Sequence, residues 1–363
     1  MAADRRRPRR VEAGGAQEAQ RARSAGRAGV SPAVHGDERL AARLGELLGP
    51  RHPVAGAAVV SPRGTVLAAR GTGPDGDFEI GSVSKGVTGL LYADAVARGE
   101  VAPETPLGEL LPLGDTPAAR VTLRSLGTHR SGLPRLPASA HPWRRTLALW
   151  RHGTNPYGED LAGLLGQARG VPVGRPRPRY SNLGFELLGH ALAHAARTTY
   201  AQLVRQRLAT PLGLDCFYVP ATPAQLRPGA LPGRSRGGRP RQPWTGEGLG
   251  PAGGIRASLA DMARLTASLL DGSVAGVGAL DPVASFGVGA RIGAAWITVE
   301  VDGRPVTWHN GGTGGFRSWL GLDRATGTGL VLLSATAASV DRQGFALLAE
   351  YGGGKGDSGR NGR

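Results

Sequence analysis

Lysine is nearly missing from this chain. Of 44 basic residues only Lys85 and Lys355 are lysines, so chemistry that needs a basic side chain able to give up its proton has two candidates. Cysteine occurs once, at Cys216, which excludes an intrachain disulfide. That thiol, in LGLDCFYVP, reads as a small core residue. Aromatic residues make up 5% of the chain and do not interleave with the arginines, which argues against a base-stacking surface. No apolar run approaches about 18 residues, so no membrane-spanning helix is expected. The basic N-terminus has no apolar stretch behind it and reads neither as a secretory nor as a twin-arginine signal. A cytoplasmic location is the expectation for the sequence as written, with export the alternative if the true start lies elsewhere.

What is present is a net charge of +16, much of it scattered, with the densest run, RRRPRR, at Arg5 to Arg10. Residues 1–36 have no hydrophobic periodicity and read as a disordered, arginine-rich tail suited to weak polyanion contact. No specific nucleic-acid partner is expected for the folded part. Residues 352–363, GGGKGDSGRNGR, read as a second flexible tail, and Lys355 lies in it. Lys85 is then the only lysine of the folded region. The chain's 40% hydrophobic content predicts a large core for residues 37–351, as one domain or two intimately packed ones.

Periodicity divides that region. DERLAARLGELLG (Asp37 to Gly49) has helical spacing of leucines. VAGAAVV and TVLAARG flank a Pro-Gly turn as a β-hairpin. VSKGVTGLLYADAVARGE reads as a helix with Val87, Leu90, Leu91 and Ala95 on its apolar side. Roughly 100–270 is mostly helical, with NLGFELLGHALAHAA, YAQLVRQRLATPLGL and a serine-capped SLADMARLTASLLDG. After about 286 the texture turns to strands. AAWITVEV and RPVTWHN meet at an Asp302-Gly303 hairpin, FRSWLGLD and TGLVLLSAT follow, and a helix runs from about Val340 to Tyr351. Strands at both ends with a helical middle predict an α+β body interrupted by a mostly helical subdomain.

Three short patterns carry chemistry, and each occurs once. Ser82 sits where an apolar strand-like run meets a helix, with Lys85 three residues on, one helical turn away. A serine hydroxyl needs a neighbouring base, and a partly buried lysine can become one where arginine cannot. The bland alternative makes Ser82 a helix cap and Lys85 a solvated first-turn residue. Tyr180-Ser181-Asn182 precedes the helix NLGFELLGHAL; the phenol can shuttle protons and the amide can bind a carbonyl. Packing for Tyr180 and capping for Asn182 are the alternative. His309-Asn310-Gly311 ends a strand before a glycine-rich turn, which suits close approach of a ligand or simply links two strands.

Taken in order, S-x-x-K, Y-x-N and a His-headed third motif resemble the class C β-lactamase-like serine hydrolases, a superfamily that includes penicillin-binding proteins, D-aminopeptidases and esterases. FEIGSVSK, LGTHRSGLP, GPAGGIRASLADMARL and HNGGTGGF extend the likeness over roughly residues 50–350. The resemblance implies a β-lactamase/transpeptidase-like fold: an antiparallel sheet flanked by helices, a helical subdomain, and an active site between them. It implies Ser82 as nucleophile, with Lys85 and Tyr180 sharing the proton traffic. Asn182, His309, Asn310, Gly311 and Gly312 would bind substrate, and the Ser82 and Gly312 N–H groups would form an oxyanion hole. No cofactor or metal is implied, and the partner is a small ester, amide or peptide. Where many relatives carry K-T-G this chain has H-N-G, and a neutral histidine attracts a carboxylate less than an ammonium does. That tilts the expectation toward an esterase or peptidase-like hydrolase. The alternatives are a true β-lactamase or D-Ala-D-Ala carboxypeptidase, and a non-catalytic binding protein on the same fold.

Other features read as structural. HALAH (His190 to His194) has zinc-pair spacing but lacks the glutamate of a metalloprotease helix. His129 reads as a loop-fixing residue. The Pro/Arg-rich run Arg227 to Gly246 is a long connection that can reach a pocket, and Trp244 and Trp308 read as packing.

Overall fold

A computed structural model describes residues 33–136 and 142–353. Of the tails expected over residues 1–36 and 352–363, residues 1–32 and 354–363, with Lys355, lie outside the described residues.

The strands are β1 (Val34–Gly36), β2 (Ala55–Ser61), β3 (Gly64–Arg70), β4 (Asp77–Glu79), β5 (Phe217–Tyr218), β6 (Gly233–Arg234), β7 (Pro240–Arg241), β8 (Arg256–Ser258), β9 (Ala284–Ser285), β10 (Ala290–Ile292), β11 (Ile297–Val301), β12 (Arg304–Gly312), β13 (Arg317–Asp323) and β14 (Thr328–Ser334). Nine of them form an antiparallel sheet in the order β1-β3-β2-β14-β13-β12-β11-β10-β9. The longer helices are α1 (Glu38–Leu48), α2 (Val83–Ala97), α3 (Pro142–His152), α4 (Leu161–Arg169), α5 (Asn182–Ala195), α6 (Leu259–Asp271) and α7 (Asp341–Tyr351). This is the β-lactamase/transpeptidase-like α+β fold that the sequence predicts.

Strand periodicity sets the layers. In β14, Leu330 and Leu332 pack with Leu40, Leu44 and Leu48 of α1 and Leu347 and Leu348 of α7, while Val331 and Leu333 join the core under α2 and α6. The central strands are therefore apolar at consecutive positions, because both faces are covered. Each end of α6 follows from a local rule. The Ser258 hydroxyl accepts from the Asp261 N–H at 3.0 Å, and Gly272 closes the helix in the left-handed region. The β11–β12 hairpin turns on Asp302 (φ 48°) and Gly303 (φ 74°), both left-handed, as a two-residue turn of this kind requires.

Two parts escape periodicity. Val34–Gly36, assigned by composition to the tail, forms edge strand β1 on Ala68–Arg70; all three residues are exposed and carry no hydrophobic signal. Cys216 is half-buried at the surface and not in the core, and burial pushes its thiol up to about 11. Two strands inside the region expected to be mostly helical, β5 and β8, form a small sheet with β4 from before it, in the order β4-β8-β5. It has no alternating pattern because β4 buries two carboxylates. Arg256, fully buried on β8, reaches Asp77 at 2.9 Å and Glu79 at 3.1 Å and donates to the Asp77 carbonyl at 2.8 Å. The Ile80 N–H then donates to Ile255 O, so this small sheet hands the chain straight to Gly81 and Ser82.

Removing one partner of a buried charge cluster leaves the others uncompensated. Arg256→Met is expected to lower the unfolding free energy in urea by about 3 kcal/mol or more. A variant as stable as the parent would show that the cluster contributes nothing net.

Candidate active site

Ser82 stands at the N-cap position of α2, yet its side chain makes no capping bond. Lys85 is fully buried, its Nζ 3.1 Å from Ser82 Oγ and 2.5 Å from Ala252 O. The solvated-lysine alternative therefore fails. Among the described residues no backbone acceptor takes the Ser82 N–H, and it points from the positive end of a 15-residue helix.

Two backbone approaches fix this corner. Gly81 is left-handed (φ 50°), and a β-carbon on it would lie 2.6 Å from Gly312 N. A β-carbon on Gly311 would lie 2.0 Å from Ile80 O, which also accepts from Ser318 Oγ at 2.6 Å. Strand β12 is thus pressed backbone to backbone against Ile80-Gly81, bringing Gly312 beside Ser82. The register adds a consequence. β11 pairs only with Arg304 to Trp308, so residues 309–312 are laddered on one side, to β13.

The Tyr180 segment comes from the helical side. Its ring centroid is 4.8 Å from Lys85 Nζ and 4.5 Å from the His129 ring. Ser181, not Asn182, caps α5: its hydroxyl accepts from Gly184 N–H at 3.0 Å and donates to Pro134 O at 2.6 Å. His129, itself left-handed (φ 54°), accepts from the Ser181 N–H through Nδ1 at 3.1 Å. It is buried and held neutral, well below the usual imidazole range, by burial first and by Lys85 second. Asn182 donates from Nδ2 to the Tyr157 hydroxyl at 3.1 Å, and its buried Oδ1 has no partner.

Strand alternation divides the third motif. His309 faces α2 and is buried; its Nδ1 donates to Asn310 O at 2.7 Å and its Nε2 has no partner. Burial first, then the Lys85 charge, hold it down at about 4, so it is neutral. Asn310 points through the sheet and donates to Asp341 of α7 at 3.0 Å. The structure does not bring its side chain to the Ser82 side, contrary to the substrate-binding role expected for it; the period of two excludes His309 and Asn310 from sharing a face. Trp308 lies on that same far face, packed on Trp319 and Phe345.

The sequence reading did not single out Tyr157 or Glu186. Tyr157 meets Trp244 edge-on at 4.8 Å, and Trp244 approaches the Gly314 turn. Burial raises the Tyr157 phenol above its ordinary value, the Glu186 charge adding to this. Glu186, one helical turn beyond Asn182, is buried, and burial pushes its carboxyl up to about 8, opposed by Lys85 and aided by Glu159. A carboxylate on the inner face of an otherwise apolar helix, NLGFELLG, was the available signal. His190 bonds to Glu247 O while His194 is exposed, and no metal-binding cluster occurs among the described residues.

The fold and the Ser–Lys arrangement define the class of active-serine hydrolases with a sheet-and-helix cleft. The Beta-lactamase family matches residues 21–351, and the chain belongs to that family. It is 33% identical over 164 residues to the D-alanyl-D-alanine-carboxypeptidase/endopeptidase AmpH of Escherichia coli (strain K12), a match covering 42% of this chain and 39% of that protein. The chain thus spans well under two thirds of the length of that relative. Esterase EstB of Burkholderia gladioli is 29% identical over 209 residues, covering 52% of this chain and 53% of that one. Among solved structures, a class C β-lactamase from Rhodobacter sphaeroides superposes with a TM-score of 0.69 at 21% identity, over 87% of this chain and 98% of that one. The chain is accordingly a member of the serine hydrolase superfamily of β-lactamase, penicillin-binding protein and esterase type.

A neutral buried histidine makes stability depend on pH with a definite sign. His309 binds a proton near 6.5 when unfolded and near 4 when folded. Its stabilising share is complete above pH 6.5 and is lost as pH falls toward 4, with a slope of about 1.4 kcal/mol per pH unit. Urea unfolding between pH 7 and 4 is expected to show a shallower decline for His309→Gln than for the parent. Identical slopes would mean that His309 titrates normally in the fold.

Proposed function

We propose that the protein hydrolyses small esters or amides through an acyl-enzyme on Ser82. The observation that carries this reading is the fully buried amine of Lys85, 3.1 Å from the Ser82 hydroxyl. A lysine, unlike an arginine, can stand there as the neutral amine that accepts a proton. As the neutral amine it takes the Oγ proton while Oγ attacks the substrate carbonyl carbon. The negative oxygen that results faces the Ser82 and Gly312 N–H groups. Donors aimed at such an oxygen are worth roughly 10²–10³ in rate apiece. The proton returns to the leaving alcohol or amine by way of Lys85 and Tyr180. Water then repeats the sequence on the acyl-enzyme and restores Ser82.

Asn182 supplies the polar contact for the acyl group through Oδ1, the atom left without a partner. His309 acts from beneath, as a neutral wall. The one-sided ladder of residues 309–312 supports an extended acyl chain laid along β12. The third motif offers no ammonium for a substrate carboxylate, which favours an esterase or peptidase-like hydrolase over an efficient β-lactamase. Similarity to an esterase agrees with this. Carboxypeptidase activity is the second reading, favoured by that free strand edge and by the likeness to AmpH.

A fluorophosphonate probe is expected to label the native protein and not Ser82→Ala. Lys85→Ala and Lys85→Arg are both expected to lower kcat on a p-nitrophenyl ester by about 10³-fold, since neither side chain accepts the proton. Equal labelling of Ser82→Ala, or an active Lys85→Arg, would refute the scheme. Faster turnover of a chromogenic cephalosporin than of the ester would move the assignment to β-lactamase.

A further inference from the structure

Helix α3 exposes what a water-soluble surface ordinarily hides. Trp143, Leu147 and Trp150 are 85%, 57% and 69% exposed, three of the six large apolar side chains left open among the described residues. Their spacing of four and three residues puts them within about 60° of one another around a helix. The stripe is therefore continuous along the solvent face. Arg144 and Arg151, both exposed, border it.

The opposite side of α3 is anchored beside the cleft. Leu149 reaches the Gly314 turn next to Trp244, and its carbonyl accepts from Arg241. Arg241 ends the β6–β7 hairpin, which presents Arg234, Arg236 and Arg239 as exposed residues. Neither the helix, PWRRTLALWRH, nor the hairpin segment Gly233 to Arg241 contains an aspartate or glutamate. An apolar stripe and a row of exposed arginines are thus carried by two segments in contact with each other, neither of which has an acidic side chain.

We infer that this face docks on an anionic lipid bilayer. Tryptophans and a leucine enter the interfacial region while the arginines meet lipid phosphates, the pattern of an in-plane amphipathic helix. Charge separates this occupant from the others. A second copy of the chain would set arginines against arginines. Residues 1–32 carry no Leu, Ile, Phe, Trp or Tyr to cover the stripe and are themselves arginine-rich. Docking would hold the Gly314–Trp244 rim of the cleft toward the membrane surface. The inference stands independently of the hydrolase chemistry.

The test is sedimentation of the full chain with phosphatidylcholine vesicles, with and without phosphatidylglycerol. Binding is expected only with the anionic lipid, weakened by salt. Trp143→Gln/Leu147→Gln/Trp150→Gln and, separately, Arg236→Gln/Arg239→Gln are each expected to reduce the partition coefficient about tenfold or more. Turnover of a water-soluble ester is expected to stay unchanged in both. In the unmodified protein, brominated lipid is expected to quench tryptophan emission, a readout that needs no variant. The inference falls if the parent ignores anionic vesicles, or if its emission is not quenched. It falls if the triple variant binds like the parent, which would assign binding to other arginines. It also falls if the parent is a dimer that the triple variant dissociates, which would make the stripe a subunit interface.

Discussion

A lysine amine without contact to water is the constraint around which this molecule is arranged. Lys85 donates to Ser82 Oγ and Ala252 O, and the Tyr180 ring, the buried imidazoles of His129 and His309, and Glu186 also surround it. An ammonium so placed is costly unless each hydrogen finds an acceptor. The cost is specific to one protonation state, and releasing the proton removes it. Arginine in the same place would pay it permanently. That asymmetry accounts for a lysine here in a chain that otherwise uses arginine.

Holding that geometry requires contributions from distant parts of the sequence. The strand before Ser82 is tied to β8 by Arg256, which neutralises two carboxylates at once. The sheet supplies Gly312 by pressing β12 on Ile80-Gly81, an approach that tolerates no side chain at Gly311. The helical part supplies Ala252, and it supplies Tyr180 on a turn pinned by His129 and Ser181. None of these contacts is local, so the site exists only when sheet and helices are packed together. The chemistry inherits its precision from the same core that stabilises the fold.

Much of this was legible in order of residue types. The helix carrying Ser82 and Lys85, the capped α6, the Asp302-Gly303 hairpin and the strands that follow were readable because each obeys a short-range rule. The three motifs were readable because each is a single occurrence at an element boundary. What stayed hidden depends on three-dimensional pairing. β4 shows no strand pattern because its acidic residues are buried only by grace of Arg256, 177 residues beyond Glu79. Asn310 looked equivalent to His309 until pairing with β13 fixed which face each took. Tyr157 lies in an irregular loop, and its bond to Asn182 joins positions 25 apart with no shared periodicity.

The burial that encloses Lys85 also disarms its neighbours. His309 and His129 are pushed toward the neutral imidazole, and Glu186 toward the neutral carboxylic acid. At neutral pH none of the three adds charge next to the amine. Below about 4 His309 would gain a positive charge, which destabilises the fold around it. Above about 8 Glu186 would ionise, placing a carboxylate on the buried face of α5. The charge carried in this corner is thus set by two groups, His309 in a strand and Glu186 in a helix, which ties it to how tightly the sheet and α5 close over Lys85.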